Sequence, residues 1–124
     1  MNGPDFLDRQ LGIHATALKL RSQRLDIIAS NIANAGTPGY QARDLDFRAA
    51  LESASQSQSL SGNMGVPGNA LKYRAPTQTS LDGNTVELAT EQTAFTENAL
   101  EYRATLSFLS GRIETMMAAL KGGE

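Results

Sequence analysis

Ser-Asn-Ile-Ala-Asn-Ala-Gly-Thr-Pro-Gly-Tyr, at residues 30–40, divides the chain: a long apolar-periodic stretch leads into it, and the period is absent after it. Gly36 can adopt the positive φ that ends a helix. Pro38 excludes Thr37 from the helical region, and Pro38-Gly39 suits the two central positions of a tight turn. We therefore predict that a helix ends at residue 35 and that a turn follows directly.

Three polar side chains in this stretch can fix the direction of the outgoing chain. Asn31 and Asn34 lie one turn apart on one helix face, so their amides can bind the chain leaving the turn or a neighbouring element. Tyr40 adds a ring that can pack and a hydroxyl that can form a hydrogen bond. The alternative interpretation is an ordinary helix C-terminus followed by a Pro-Gly turn.

The N-terminal stretch, residues 5–35, has the alternating steps of four and three that are typical of a coiled-coil seam. His14 and Arg21 interrupt this seam, and we interpret His14 as a structural residue. A second stripe recurs every seven residues, so the apolar face is wider than one partner helix covers and predicts at least two neighbours. The seam comprises Leu7, Leu11, Leu18, Leu25, Ile28 and Ile32, and the second stripe comprises Phe6, Ile13, Leu20 and Ile27.

A second helix is predicted over residues 85–121. It follows a turn formed by Ser80, Leu81, Asp82, Gly83 and Asn84, and Asn84 stands three residues before Glu87, as in a helix-capping box. The same alternation of four and three then continues until Gly122. Its assembly seam comprises Leu88, Phe95, Tyr102, Leu106, Leu109, Ile113, Met116 and Leu120.

Neither helical seam continues into residues 36–84. Residues 41–47 and 70–74 alternate like extended segments and could pair as a short β-hairpin, with about one turn of helix at residues 48–52. Residues 53–69 are rich in Ser and Gly, which predicts a flexible loop. The whole chain, residues 1–124, is expected to be a single domain.

The predicted fold class is mainly α, with two long terminal helices paired as an antiparallel coiled coil and joined by an extended and loop region. Arg21 and Arg24 would then lie near Glu87, Glu91 and Glu97. Because the two seams leave apolar surface uncovered, the pattern predicts assembly with other chains.

Composition excludes several classes of function. A net charge of −2 over 124 residues gives no positive field that would attract nucleic acid. With zero Cys and one His, few side chains are available for catalysis, a metal site or a cofactor site. We predict neither an enzyme nor a cofactor. The sequence shows neither a cleavable signal peptide nor an apolar stretch of roughly 20 residues, so we expect no direct membrane insertion. Helix 5–35 is amphipathic enough to lie on a membrane, but that hypothesis does not explain the second seam.

Residues 30–40 resemble the N-terminal signature of the flagellar axial protein family, the rod, hook and filament-junction subunits of the bacterial flagellum. Gly36 stands where that signature usually has Asn. Residues 34–47, 73–76, 80–87 and 98–102 look like the proximal rod subunits of this family. The residues that match the two main motifs are Asn31, Asn34, Gly36, Thr37, Pro38, Gly39 and Tyr40, then Ser80, Leu81, Asp82, Gly83, Asn84 and Glu87.

The resemblance implies a structural subunit of the basal-body rod, which polymerises through its terminal helices as part of the drive shaft. It also implies self-association, contact with other rod proteins and with the rod-to-ring adaptor, and passage through the flagellar type III export apparatus to the periplasmic rod. The resemblance further implies that, as an early export substrate, the chain carries a Phe-x-x-x-apolar element recognised at the export gate, and Phe47 with Leu51 has that form. The competing hypothesis is a soluble coiled-coil adaptor or a chaperone of a type III secretion system.

Overall fold

The computed structural model describes residues 3–57, 70–78 and 80–122. In this part of the chain the elements are α1 (Gly3–Ala33), β1 (Arg43–Leu45), α2 (Phe47–Ser57), β2 (Leu71–Tyr73) and α3 (Leu88–Lys121). The side chains of the predicted apolar positions Phe6 and Leu7, and residues 58–69 of the loop predicted over residues 53–69, lie outside this description. The chain is mainly α, as the sequence predicts.

The two long helices pack side by side and antiparallel, which confirms the predicted pairing. At about 1.5 Å per residue, α1 is about 45 Å long and α3 about 50 Å. Residue numbers fall along α3 as they rise along α1, as three contacts show: Asn31 with Glu91, Arg21 with Asn98, and His14 with Phe108.

Helix α1 has a second set of neighbours, as its wide apolar face predicts. Leu20 is buried in a small apolar cluster with Leu45 of β1, Ala50 of α2 and Ala70, the residue before β2. Ile27, Phe47, Ala49 and Leu51 pack against this cluster. The central segment therefore covers one side of α1 while α3 runs along another.

The predicted extended segments do pair, but a helix separates them. Strands β1 and β2 are antiparallel, with Asp44 opposite Lys72. Between them α2 runs for 11 residues, where the sequence predicted about one turn of helix and then a flexible loop from Ser53. Asp46 caps α2, because its carboxylate accepts the Ala49 amide at 3.2 Å. This cap and the packing of α2 against α1 extend the helix into the Ser-rich region.

Both long helices differ from the predicted bounds at the ends that meet the central segment. Helix α1 ends at Ala33, and Gly36 does not have the positive φ that the sequence suggested; in the described residues positive φ occurs at Gly39 and Gly83. The chain instead leaves α1 through a turn in which the Thr37 amide donates to the Asn34 carbonyl at 3.1 Å. Helix α3 begins at Leu88 rather than at residue 85.

Candidate functional site

The Asn31 amide joins three elements where α1 ends. Asn31 is fully buried, and its Nδ2 donates to the Arg43 carbonyl at 2.6 Å and to Glu91 Oε2 at 2.9 Å. Its Oδ1 accepts the Arg43 N–H at 3.1 Å and the Tyr40 hydroxyl at 3.4 Å. Both ends of the amide are therefore engaged, and one side chain holds β1 and α3 against α1.

Asn34 and the Tyr40 hydroxyl act more locally. Asn34 Nδ2 donates to the Ser30 carbonyl at 2.8 Å, and its Oδ1 accepts from the Thr37 hydroxyl at 3.1 Å. The Tyr40 hydroxyl also lies 3.2 Å from Ser30 Oγ. These contacts close the end of α1 onto the residues that follow it.

Asn84 caps α1 rather than α3, which contradicts the predicted capping box. Its Nδ2 lies 2.9, 3.0 and 2.7 Å from the carbonyl oxygens of Asn34, Ala35 and Thr37. An amide group has two N–H donors, so it satisfies two of these three acceptors at a time. Its Oδ1 accepts the Val86 amide at 2.7 Å. The carbonyls at the end of α1 need donors, and this buried amide from the second motif supplies them.

Glu87, the other half of the predicted capping box, also has a different role. It occupies the N-cap position of α3 but makes no side-chain cap hydrogen bond. Its carboxylate accepts from the amide and the hydroxyl of Thr77 instead. These two hydrogen bonds lower the pKa of Glu87. The carboxylate thus anchors the segment after β2 to the start of α3.

The structure brings the two sequence motifs together as a pair of interlocked turns. The Tyr40 amide donates to the Thr37 carbonyl at 3.2 Å, with Pro38 and Gly39 at the two central positions as predicted. Gly39 has a φ of +74° and Gly83 a φ of +78°. The Gly39 amide donates to the Asp82 carbonyl at 2.8 Å, and a Cβ on Gly83 would lie 3.6 Å from the Gly39 Cα.

Thr85 extends this contact between the turns. Its amide donates to the Tyr40 carbonyl at 2.9 Å, and its hydroxyl accepts the Ala42 amide at 2.8 Å. We call the contacts around Asn31, Asn84 and the two glycine turns the junction. Through it, the chain that leaves α1 is held against the chain that enters α3.

A chain of alternating charges crosses the junction. Arg24 donates to both carboxylate oxygens of Asp44, at 2.9 and 3.1 Å, and Arg74 donates to the same carboxylate at 2.9 Å. Arg74 Nε also lies 2.8 Å from Glu91 Oε1, although the N–H is not aligned for a hydrogen bond. The hydrogen bond to Asp44 raises the pKa of Arg24. Because Glu91 is fully buried, Arg74 and Asn31, which contact its carboxylate, are what offset its desolvation.

Sequence reasoning assigned these charges to different partners. Arg24 does lie near Glu97, as predicted, but its ion pair is with Asp44, and Arg21 pairs with Glu101. Arg74, Asp44 and Asn98 were not singled out for a role. One signal was available: Glu91 and Asn98 are polar and seven residues apart, so they share one face of α3. Asn98 is fully buried, and its Nδ2 donates to the Arg21 carbonyl at 2.8 Å.

As a result, only part of the predicted α3 seam faces α1. Glu91 and Asn98 occupy the buried face, and Tyr102, Leu109 and Met116 are half-buried. The other seam residues remain between 38% and 83% exposed: Leu88, Phe95, Leu106, Ile113 and Leu120. Away from the junction, in the distal half of the pair (residues 9–17 and 104–121), the His14 ring packs against the Phe108 ring with centroids 4.6 Å apart and the ring planes tilted by 53°.

The remaining predicted positions lie at two other places. Leu81 is at the tip of the second turn with its side chain fully exposed. Phe47 and Leu51 pack against the apolar cluster, and the Arg21 guanidinium lies 4.1 Å above the Phe47 ring. In the described part of the chain, no group of three or more acidic, His or Cys side chains is placed to hold a metal ion. Nor does any helix there have the length and apolarity to cross a membrane.

Comparison with known proteins identifies relatives over nearly the whole chain. A family model described as "Flagella basal body rod protein" matches residues 11–41, which include most of α1 and the first turn. The chain is 49% identical to the flagellar basal body rod protein FlgB of Cereibacter sphaeroides, over 91% of this chain and 94% of the relative. It is 43% identical to the FlgB protein of Escherichia coli, over 96% of this chain and 98% of the relative. The corresponding protein of Salmonella typhimurium is 42% identical over the same shares.

Proposed function

The chain belongs to the FlgB family of flagellar basal body rod proteins and is a structural subunit of the rod. From that premise we propose that it polymerises in the proximal rod through the uncovered face of its paired terminal helices. Membership of the family implies assembly with other rod components. We further propose contact with copies of itself and with the rod-to-ring adaptor. None of the relatives reported above is a secretion chaperone or an adaptor.

The observation that carries this proposal is the exposed half of the α3 seam. Five large apolar side chains of the predicted α3 seam stay at least 38% exposed in the single chain: Leu88, Phe95, Leu106, Ile113 and Leu120. Exposed apolar surface of this extent and regularity is typical of a protein interface. The junction holds the helix pair together by polar contacts, which leaves this surface free for neighbouring subunits.

Whether each subunit keeps its own helix pair on polymerisation, as the proposal requires, is tested in purified basal bodies. The chain has no Cys, so Cys pairs can be introduced in one molecule at Ile28 with Phe95 and at Leu11 with Leu109. A disulfide requires Cα atoms within about 7 Å. Intramolecular bonds in assembled rods would support one helix pair per subunit. Bonds only between subunits, or only in a parallel pairing such as Leu11 with Phe95, would show that the helices exchange partners on assembly.

We also propose that the chain leaves the cytoplasm through the flagellar type III export apparatus without a cleaved signal peptide and joins the periplasmic rod, and that Phe47 and Leu51 serve as an export-gate element. Both side chains pack against the apolar cluster, so gate recognition would require an unfolded chain. Phe47→Ala should then reduce secretion. Leu20→Ala is the matched control, because it weakens the same cluster and leaves the element intact. Equal secretion of the two variants would contradict this role.

A further inference from the structure

The face of α3 that packs on α1 has two unequal flanks. Glu91 and Asn98 are fully buried and mark the centre of this face. Successive residues of an α-helix are about 100° apart, which places one flank about 50–70° to one side of the centre and the other about 30–50° to the opposite side. The first, which we call the apolar flank, is 38–46% exposed and comprises Leu88, Phe95, Leu106 and Ile113. The second, the small flank, is half-buried and comprises Ala94 and Thr105.

The observed rotation of α3 about its axis is not the one that buries the most apolar surface. Turning the helix by about 50° would carry the apolar flank onto α1 and the small flank into water. Phe95 and Leu106 would then be buried in place of Ala94 and Thr105. Because burial of large apolar side chains is favourable, this exchange favours the turned arrangement.

Asn98 would also be better satisfied in the turned arrangement. Its Nδ2 donates to the Arg21 carbonyl at 2.8 Å, but that carbonyl lies inside α1 and already accepts a helical hydrogen bond. Within residues 3–57, 70–78 and 80–122, Asn98 Oδ1 is buried with no hydrogen-bond partner. An unpaired buried acceptor is costly, whereas water at the edge of the helix pair would satisfy the amide. Two independent features therefore oppose the observed rotation.

The Glu91 carboxylate has contacts that the turned arrangement would break. Its Oε1 lies 2.8 Å from Arg74 Nε, and its Oε2 accepts the Asn31 amide at 2.9 Å. Separating a fully buried carboxylate from both groups is strongly unfavourable. The ion pair of Arg21 with Glu101 restrains the helix less, because the Glu101 side chain is 50% exposed.

We propose that Glu91 is the positioning residue that holds α3 in this rotation and so keeps the apolar flank turned outward. It acts through Arg74 and Asn31 on a rigid helix, so its effect extends to Leu106 and Ile113, beyond its own contacts. The rotation is a property of the single chain. Its consequence for assembly rests on the proposed polymerisation, because the apolar flank supplies four of the five exposed seam residues that carry that proposal.

Adjacent residues on the two flanks report the rotation. The chain has no Cys, so Thr105→Cys and Leu106→Cys each introduce a single thiol whose alkylation rate follows its exposure. In the otherwise wild-type chain, we expect the thiol at position 106 to react faster than the thiol at position 105. Combining Glu91→Leu with Arg74→Leu removes the whole ion pair and should invert this order, with the two rates changing several-fold in opposite directions. A folded double variant that keeps the wild-type order would overturn the inference.

Loss of the fold is distinguishable from rotation, because unfolding raises both alkylation rates. Replacing a whole buried ion pair by apolar residues is often neutral for stability, and the turned arrangement buries the apolar flank. The double variant should therefore fold. If it lacks the helical circular dichroism of the wild-type chain, the inference is wrong.

Asn98→Leu tests whether the observed rotation is costly. Because Leu replaces a buried amide that has an unpaired acceptor, the thermal midpoint should rise by a few degrees. The order of alkylation at positions 105 and 106 should stay as in the wild type, since Glu91 is intact. A lower midpoint would show that the observed rotation suits Asn98, and this would also overturn the inference.

The consequence for assembly is measured as the amount of each tagged variant in purified basal bodies, relative to the amount secreted. Incorporation of the double variant should fall roughly ten-fold or more, the effect of removing even one buried Leu side chain from an interface. Asn98→Leu is the matched control, because it changes a buried polar residue of the same face without turning the helix, and it should incorporate like the wild type.

The two levels of proposal fail differently. If the order of alkylation inverts and the double variant still incorporates normally, the role of Glu91 stands and polymerisation through this face is wrong. If the order of alkylation does not invert, the role of Glu91 is wrong whatever the amount incorporated.

Discussion

The two halves of the α1–α3 pair are stabilised by different interactions. At the junction, Asn31 and Glu91 are fully buried and hydrogen-bonded to each other at 2.9 Å. In the distal half, the His14 ring packs against the Phe108 ring, while Ile113 and Leu120 are 43% and 83% exposed. Directional polar contacts select one arrangement of the helix ends, because a buried polar group without its partner is costly. Apolar contacts are less selective, so the distal half keeps surface that other chains can cover.

The largest expected effect comes from removing the buried carboxylate of the junction. Glu91→Ala removes the buried carboxylate that lies against Arg74 and accepts an N–H of Asn31, so a buried charge loses one of its two counter-charges and a buried N–H loses its acceptor. This should lower the free energy of unfolding by about 3–5 kcal/mol. Urea unfolding followed by circular dichroism measures this free energy of unfolding. Glu97→Ala, an exposed position on the same helix, should change it by less than about 0.5 kcal/mol. Equal losses would mean that the junction is no more important than the surface of α3.

Removing the Asn84 cap, which joins the two motifs, should have the second-largest effect. Asn84→Ala removes the donors for the carbonyls at the end of α1 and should cost about 1–3 kcal/mol. Asn34→Ala is the matched control, because the Asn34 side chain makes only local contacts and its loss should cost about 1 kcal/mol or less. Hydrogen exchange at residues 30–42 would locate the effect. Protection unchanged in Asn84→Ala would show that the first turn stands without the second.

A smaller effect should separate the two glycines of the first motif. Gly39→Ala forces an L-residue into positive φ at a cost of about 1–2 kcal/mol, although the Cβ itself meets no atom within 4 Å. Gly36→Ala has open space and no positive φ, so it should be neutral or stabilise by up to about 1 kcal/mol. Thermal melts should show a lower midpoint for Gly39→Ala and an unchanged or higher midpoint for Gly36→Ala.

In cells, replacing both Pro38 and Gly39 by Ala should impair rod assembly more than export, because helix could then run past Thr37 and misdirect the outgoing chain. The amounts of secreted and rod-incorporated protein measure the two steps separately. Normal rods from this double variant would show that the first turn does not organise the fold.

Of all these changes, acid should lower the stability of the fold least. The loss of structure in acid should begin at the junction end of the helix pair. Hydrogen bonds lower the pKa of three carboxyls around the central segment: Asp46 through Lys72 first, Asp82 through Ser80 first, and Glu87 through Thr77 first. A carboxyl whose pKa is lower in the folded state stabilises the fold at pH values above its pKa in the unfolded state, which is near 4. This stabilisation is lost as the pH falls through the pKa of the folded state. The thermal midpoint should therefore drop below about pH 4.

Two comparisons make the acid effect specific. Asp82→Asn removes one of the three titrating groups, so its midpoint should depend less steeply on pH. Amides of the distal half, at residues 104–121, should lose protection no earlier than those at residues 80–87. A distal half that opens first in acid would contradict the assignment of the pH dependence to the junction.

Local chemistry made several features predictable from the sequence. The steps of four and three predicted two long helices, and Pro38 with Gly39 predicted the turn, because each depends only on residues close in the chain. The antiparallel pairing was also predictable, since two seams of similar length join through a short central segment. It was also predictable that both helices would keep uncovered apolar surface, because each has a wider apolar face than one partner helix covers.

The tertiary structure alone decided which partner each polar group has. Asn84 caps carbonyls at residues 34–37, and Arg74 pairs with Asp44 and Glu91, across separations that no local pattern encodes. These partnerships bury Glu91 and Asn98 and turn the more apolar side of α3 outward. The physical reason is that a buried polar group must find a partner in space, because leaving its donors and acceptors unpaired would be costly, and only the fold decides which groups come within reach.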